Sequence, residues 1–121
     1  MINQKTILFI EDDSLIVKLY TTRLELEGFK VFWVDNGQEG IDKFSKLQPN
    51  LVVLDLMIPR VSGIDVLQAI RKQDKKVPII IYTVLSDKKR VQELKIKGAT
   101  DYFIKADTHP KQLVERIKSY F

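Results

Sequence analysis

The sequence predicts an α/β fold in which five short strands alternate with five helices. Three observations carry this. Apolar runs of strand length recur along the chain, at 6–10, 30–34, 51–54, 77–83 and 101–104. Stretches of helical spacing lie between them. Glycine, proline or a capping side chain marks most of the breaks. The chain has 121 residues, 45% of them apolar and 30% charged, enough for one core without a disulfide or a metal. One domain over 1–121 is expected.

Residues 6–10, TILFI, form the first strand. From Ser14 to Leu26 apolar side chains fall at Leu15, Ile16, Leu19, Tyr20 and Leu24, which is helical spacing, and Gly28 follows as a C-terminal glycine. Residues 30–34 form the second strand. Asn36, with Glu39 three residues on, offers the next helix its N-cap, and Ile41, Phe44 and Leu47 its apolar stripe. Residues 51–54, LVVL, are an unbroken apolar run ending at Asp55, the pattern of a central parallel strand buried on both faces.

Ser62 and Gly63 open a third helix that runs to about Lys72. The fourth strand covers 77–83, with Pro78 at its start, where a missing N–H is tolerated. Asp87 caps a fourth helix, which Gly98 closes. Residues 101–104 form the last strand. Pro110 sits in the first turn of a final helix whose stripe is Leu113, Val114 and Ile117. Strands alternating with helices imply a parallel sheet with right-handed crossovers. For a (βα)5 chain of this size the expected strand order is the flavodoxin-like 2-1-3-4-5, with helices on both faces.

Several function classes are excluded. There is no cysteine, so no disulfide framework, thiolate metal site or thiol catalysis. The first residues, MINQKT, are too polar for a signal peptide, and no apolar run is long enough to span a bilayer. A soluble, cytoplasmic protein with no membrane partner is expected. The net charge is +4, but the basic side chains are spread over helical segments and mixed with acids. No aromatics interleave with them, so direct nucleic-acid binding is not expected. Neither a G-x-x-x-x-G-K-S/T loop nor a G-x-G-x-x-G turn is present. A haloacid-dehalogenase-type phosphatase would need a second aspartate where Met57 stands. His109, the only histidine, has no second ligand at a suitable spacing and is expected at the surface or as a cap.

In an open parallel sheet, ligands bind outside the carboxyl ends of the strands. After the first strand come Glu11, Asp12 and Asp13; after the third, Asp55. The fourth strand ends in Thr83 and the fifth is followed by Lys105. In the expected order these strands are neighbours, so the groups converge. Crowded carboxylates repel one another, and a hard divalent cation with oxygen ligands removes that cost. Lys105 adds a positive charge and Thr83 a hydroxyl donor. The set suits phosphoryl transfer, with Asp55 as carboxylate nucleophile. Each residue also has a plain structural account: Asp55 as a strand end, Asp12 and Asp13 as acids at a helix N-terminus, Thr83 in a strand, Lys105 on the surface. Four coincidences at four adjacent strand ends favour the functional reading.

The sequence resembles the receiver domain of bacterial two-component response regulators over nearly its whole length. The likeness rests on Ile10-Glu-Asp-Asp13, on Leu54-Asp-Leu-Met-Ile-Pro59 followed by Ser62 and Gly63, on Tyr82 and Thr83, and on Gly98-Ala-Thr-Asp-Tyr102 leading to Lys105. The resemblance implies a phosphoacceptor at Asp55 and Mg²⁺, with Mn²⁺ as a substitute. Asp13, Asp55 and the Met57 backbone carbonyl would ligate the ion directly, and Asp12 through water. Thr83 and Tyr102 would form a switch pair, and Lys105 would contact a phosphoryl oxygen. The chain would be a signalling phosphoacceptor that catalyses only its own phosphorylation and slow dephosphorylation.

The implied donor is a sensor histidine kinase or a histidine phosphotransfer protein. The implied output is an unidentified partner or output domain, or a homodimer formed on phosphorylation, through the face of helix 4, strand 5 and helix 5. Two residues depart from the family pattern. Ala106 stands where a proline, often cis, is usual, so a trans bond is expected. Val84 stands where a small residue is usual, and its bulk would narrow access to Asp55. Both motivate the alternative of a pseudo-receiver, the same fold used as a phosphate-independent protein-binding module.

Overall fold

The backbone polar groups of five apolar segments must find partners away from water, and they find them in one another. In the computed structural model, which describes residues 4–121, these segments form one parallel sheet. Met1, Ile2 and Asn3, where the expected domain and the stretch too polar for a signal peptide begin, lie outside the described residues. The strands are β1 Thr6–Ile10, β2 Lys30–Val34, β3 Leu51–Leu54, β4 Ile79–Thr83 and β5 Asp101–Ile104. The helices are α1 Ser14–Leu26, α2 Gly37–Leu47, α3 Gly63–Gln73, α4 Lys88–Ile96 and α5 Pro110–Ser119. A single 3₁₀ turn, Lys105–Asp107, follows β5. The strand order is β2-β1-β3-β4-β5, as the flavodoxin-like expectation had it.

Side chains of successive strand residues point to opposite faces, and the core divides accordingly. Leu8, Ile10, Val52, Leu54, Ile79 and Ile81 pack with Phe44, Val66, Leu67, Ile70 and Leu94 under α2, α3 and α4. Ile7, Phe9, Leu51, Val53, Ile80 and Tyr82 pack with Val17, Tyr20, Leu24, Leu113, Val114 and Ile117 under α1 and α5. Every residue of β3 is buried, as its unbroken apolar run requires. No helix among the described residues is long and apolar enough to cross a membrane.

Two expectations need correction. The face that α1 buries is Val17, Tyr20 and Leu24, while Leu15 is 78% and Leu19 41% exposed. Helical spacing holds for both sets, and the direction of the sheet selects the one centred on Tyr20. The fourth strand begins at Ile79 rather than Val77, because Pro78 has no N–H to donate and only its carbonyl serves the ladder, accepting from Val52.

The loop after β3 is pinned by Gly63, the first residue of α3. Its N–H donates to the Leu56 carbonyl at 3.1 Å. A methyl group there would press on the Leu56 backbone and stand 2.7 Å from the Asp55 carbonyl oxygen. Backbone cannot yield as a flexible side chain does. Gly63→Ala is therefore expected to cost about 3 kcal/mol, the upper end of overpacking penalties. Urea unfolding with an unchanged midpoint would contradict this packing.

Candidate functional site

The carboxyl ends of β1, β3, β4 and β5 meet at one edge of the sheet, and the ladder carries on past the strands to fix the acids. The Glu11 N–H donates to the Val34 carbonyl at 3.1 Å, and the Asp55 N–H to the Ile10 carbonyl at 3.0 Å. Glu11, Asp55 and Thr83 are buried, whereas Asp12 is exposed at the mouth. The Lys105 ammonium lies 2.6 Å from Glu11 Oε1 and 2.8 Å from Asp55 Oδ2. Asp55 Oδ1 accepts the Met57 N–H at 3.1 Å. Glu11 Oε2 accepts the Asp13 N–H at 3.2 Å.

Glu11, Asp12 and Asp55 each bring a carboxylate oxygen within 4.8 Å of the others. This corrects the acidic set named from the sequence. Asp13 is not in the cluster: its carboxylate caps α1, accepting from the Leu15 and Ile16 N–H groups at 3.0 and 3.4 Å. A capping geometry satisfies orphan donors of the first turn and turns that carboxylate away from the sheet edge. Glu11 takes the inner place instead. The sequence held a signal for this, since an aspartate directly before Ser14 and Leu15 is an N-cap pattern.

Thr83 Oγ1 is buried and makes no hydrogen bond among the described residues. A buried hydroxyl is nearly always partnered, and this one is free to donate to a water or ligand oxygen that enters the site. Burial pushes the Glu11 carboxyl up to about 7. Lys105 opposes this, and the Asp55 charge adds to it. Burial works against the Lys105 ammonium as well, but its bonds to Asp55 and Glu11 outweigh that and hold it above its ordinary range. One buried cation is thus shared between two buried acids.

The remaining residues fall as follows. The Tyr102 hydroxyl donates to the Leu85 carbonyl at 2.8 Å, tying β5 to the segment after β4, and its ring packs on the core under α2 to α4. The Met57 side chain is 55% exposed. Val84 is 58% exposed, so its bulk projects largely into solvent. The Lys105–Ala106 bond is trans. His109 caps α5, with Nδ1 accepting the Lys111 N–H at 3.1 Å and Gln112 closing the box. Trp33 is not a core residue; it is 43% exposed, with its indole N–H donating to the Glu11 carbonyl.

This fold with this strand-end set defines a class of protein, and comparison with known proteins agrees. A model of the response regulator receiver domain family matches residues 7–118. A probable transcriptional regulator, ycf27, of Porphyridium aerugineum is 42% identical over 117 residues, covering 96% of this chain and 48% of its own length. The DNA-binding response regulator MtrA of Mycolicibacterium paratuberculosis is 35% identical over 116 residues, covering 96% and 51%. The chain spans about half the length of these curated relatives. Among solved structures, a CheY-like response regulator receiver domain protein of Methanospirillum hungatei superposes with a TM-score of 0.91 at 27% identity, covering 98% of this chain and 94% of that one. The BeF3-activated N-terminal receiver domain of Klebsiella pneumoniae RstA gives 0.88 at 28%, covering 95% and 97%. The chain belongs to the response regulator receiver domain family, the receiver module of two-component signalling.

The burial of Glu11 has a pH consequence. A carboxyl whose folded-state value is raised contributes stability that is complete below its unfolded value of 4.5 and lost as pH rises through about 7. In metal-free protein, Glu11→Gln is expected to remove this loss. Its melting temperature relative to wild type should rise by roughly 10 °C between about pH 5 and pH 8. Parallel melting profiles for the two proteins would refute the account of Glu11.

Proposed function

We propose that this chain accepts a phosphoryl group onto Asp55 from a phosphohistidine, carried by a sensor histidine kinase or a histidine phosphotransfer protein. One observation carries the reading. A buried aspartate faces a lysine at 2.8 Å, and the neighbouring strand ends in a buried hydroxyl with no partner among the described residues. Neither arrangement serves packing.

The acidic cluster offers carboxylate oxygens and no imidazole or thiolate, which fits a hard divalent ion such as Mg²⁺, with Mn²⁺ as a substitute. Asp12, Asp55 and the Met57 backbone carbonyl would hold it, with Glu11 supporting from behind. When bound, the ion neutralises negative charge on the phosphoryl oxygens. An oxygen of Asp55 forms the new bond to phosphorus as the bond from phosphorus to the donor imidazole breaks. The imidazole leaves with that electron pair and takes up a proton. Lys105 and Thr83 each donate to a phosphoryl oxygen, so the charge that develops there meets donors already in place.

The acyl phosphate carries about −1.5 to −2 charge at neutral pH, spread over three oxygens, in place of the single charge of the Asp55 carboxylate. The Thr83 hydroxyl gains its missing partner, and the segment 84–87 that follows it shifts against Tyr102 through the Leu85 carbonyl. The face of α4, β5 and α5 then meets an output domain, a separate partner or a second copy of the chain. The names of the transcriptional and DNA-binding relatives support such an output, and the BeF3-activated RstA receiver supports a phosphoryl-responsive site. The chain acts as a signalling module that catalyses only its own phosphorylation and dephosphorylation.

Intact-protein mass after incubation with a small-molecule phosphodonor tests the reading. A Mg²⁺-dependent phosphoryl adduct is expected in wild type and absent in Asp55→Asn. No adduct on the folded protein, with a donor that labels a control receiver, would leave the phosphate-independent binding module. The adduct is also expected to be long-lived, because Met57 and Leu85 are apolar and neither orients an attacking water. A wild-type half-life no longer than that of a Met57→Asn, Leu85→Glu double variant would contradict this.

A further inference from the structure

Lys105 reaches the site from a short 3₁₀ turn, and its ion pairs account for only part of its surroundings. Its ammonium also lies 5.6 Å from the centre of the Tyr82 ring. Tyr82 belongs to β4, is 6% exposed, and precedes Thr83. Its ring is held in turn. The Tyr20 hydroxyl of α1 donates to the Tyr82 hydroxyl at 3.1 Å, the two rings meet edge to face at 5.4 Å, and Tyr20 stacks on Phe9 of β1 at 5.7 Å. A stack running from β1 through α1 to β4 therefore ends in an aromatic face beneath the Lys105 ammonium.

We infer that Tyr82 is a positioning residue for phosphoryl transfer, presenting its ring face to the Lys105 ammonium so that the lysine is already placed when Asp55 takes up its new group. The physical need is specific to this site. In the resting protein two carboxylates hold Lys105. During transfer Asp55 gives up its free carboxylate and a bound cation competes for the acids, so both anchors weaken. The ring quadrupole does not change with the reaction, and it is strongest in a desolvated setting such as this one. Polar anchors steer the ammonium toward the acids, and Tyr82 limits its retreat. The edge-to-face packing of Tyr20 against the ring restricts its rotation, which a buried aromatic needs if its face rather than its edge is to meet the cation, and this packing does not require the hydroxyl bond.

This inference rests on Asp55 as phosphoacceptor, and one experiment with two readouts separates the two ideas. The variants are Tyr82→Leu and Tyr82→Phe. Phenylalanine keeps the ring face and loses only the hydroxyl bond. The first readout needs no phosphorylation: the proton chemical shifts of the Lys105 side chain in metal-free protein. Ring current over an aromatic face moves them upfield in wild type and Tyr82→Phe, and Tyr82→Leu returns them to ordinary lysine values. The second is the Mg²⁺-dependent phosphorylation rate with a small-molecule phosphodonor, resolved into the saturating rate and the half-saturating donor concentration.

Tyr82→Leu is expected to lower the saturating rate about fivefold to thirtyfold, the span from an exposed to a desolvated cation–π contact, with little change in half-saturation. Tyr82→Phe should restore most of it. Unshifted Lys105 protons in wild type would overturn the inference, whatever the rates. So would a saturating rate equal for leucine and wild type, or a phenylalanine variant as slow as leucine. A wild-type protein with shifted Lys105 protons that takes up no phosphoryl group would overturn the phosphoacceptor reading and leave the ring contact standing. Should Tyr82→Leu not fold, phenylalanines of increasing ring fluorination at position 82 keep the shape and weaken the face. A rate that does not fall with fluorination would then overturn the inference.

Discussion

The site is organised by one buried cation shared between two buried acids. The Lys105 ammonium sits within 3 Å of both Glu11 and Asp55. Removing charges from water is costly, and a buried pair is tolerated only when geometry and extra hydrogen bonds compensate. Here burial pushes Glu11 up to about 7, with the Asp55 charge adding to it, and the bond to Lys105 offsets only part of this. A site short of positive charge favours a divalent ion at its mouth, where Asp12 is exposed. It also leaves Lys105 able to follow whichever oxygen carries most negative charge.

The fold makes this imbalance affordable by placing it at a strand edge. β1 and β3 are fully covered by helices on both faces, and their hydrogen-bond ladder extends one residue beyond each strand to hold Glu11 and Asp55. The carboxylates are therefore presented by rigid backbone rather than by loops. Gly63 keeps the loop after Asp55 pressed on the start of α3, so the Met57 N–H stays aimed at Asp55 Oδ1. The fourth helix is held less firmly. α4 buries only Leu94, and the loop before it is tied to β5 through the Tyr102 hydroxyl on the Leu85 carbonyl, so little apolar contact holds this helix to the sheet.

The fold was legible in the sequence because its signals are local. LVVL before Asp55, Asn36 with Glu39, and the glycines after α1 and α4 each mark an element by themselves, and both of these glycines have positive φ. What the sequence left open was direction. Helical spacing in α1 allowed Leu15 and Leu19 to face the core as well as Val17 and Tyr20, and only packing on the sheet separates them. The same limit applied at the site. Three consecutive acids follow β1, and which of them turns inward depends on where the helix begins. Asp13 is taken by the cap, so Glu11 and Asp12 are the acids beside Asp55. The unpartnered Thr83 hydroxyl and the Tyr82 ring beneath Lys105 are three-dimensional facts with no counterpart in spacing.

The central claim is that Lys105 and Thr83 are placed to receive a phosphoryl group on Asp55. The most direct measurement is a crystal structure of the protein with Mg²⁺ and beryllium trifluoride, which imitates that group. The account predicts beryllium bonded to an Asp55 oxygen, with Thr83 Oγ1 and Lys105 Nζ each within hydrogen-bond distance of a fluorine. It would be contradicted by Asp55 free of the adduct, Lys105 still shared with Glu11, and the Thr83 hydroxyl still without a partner.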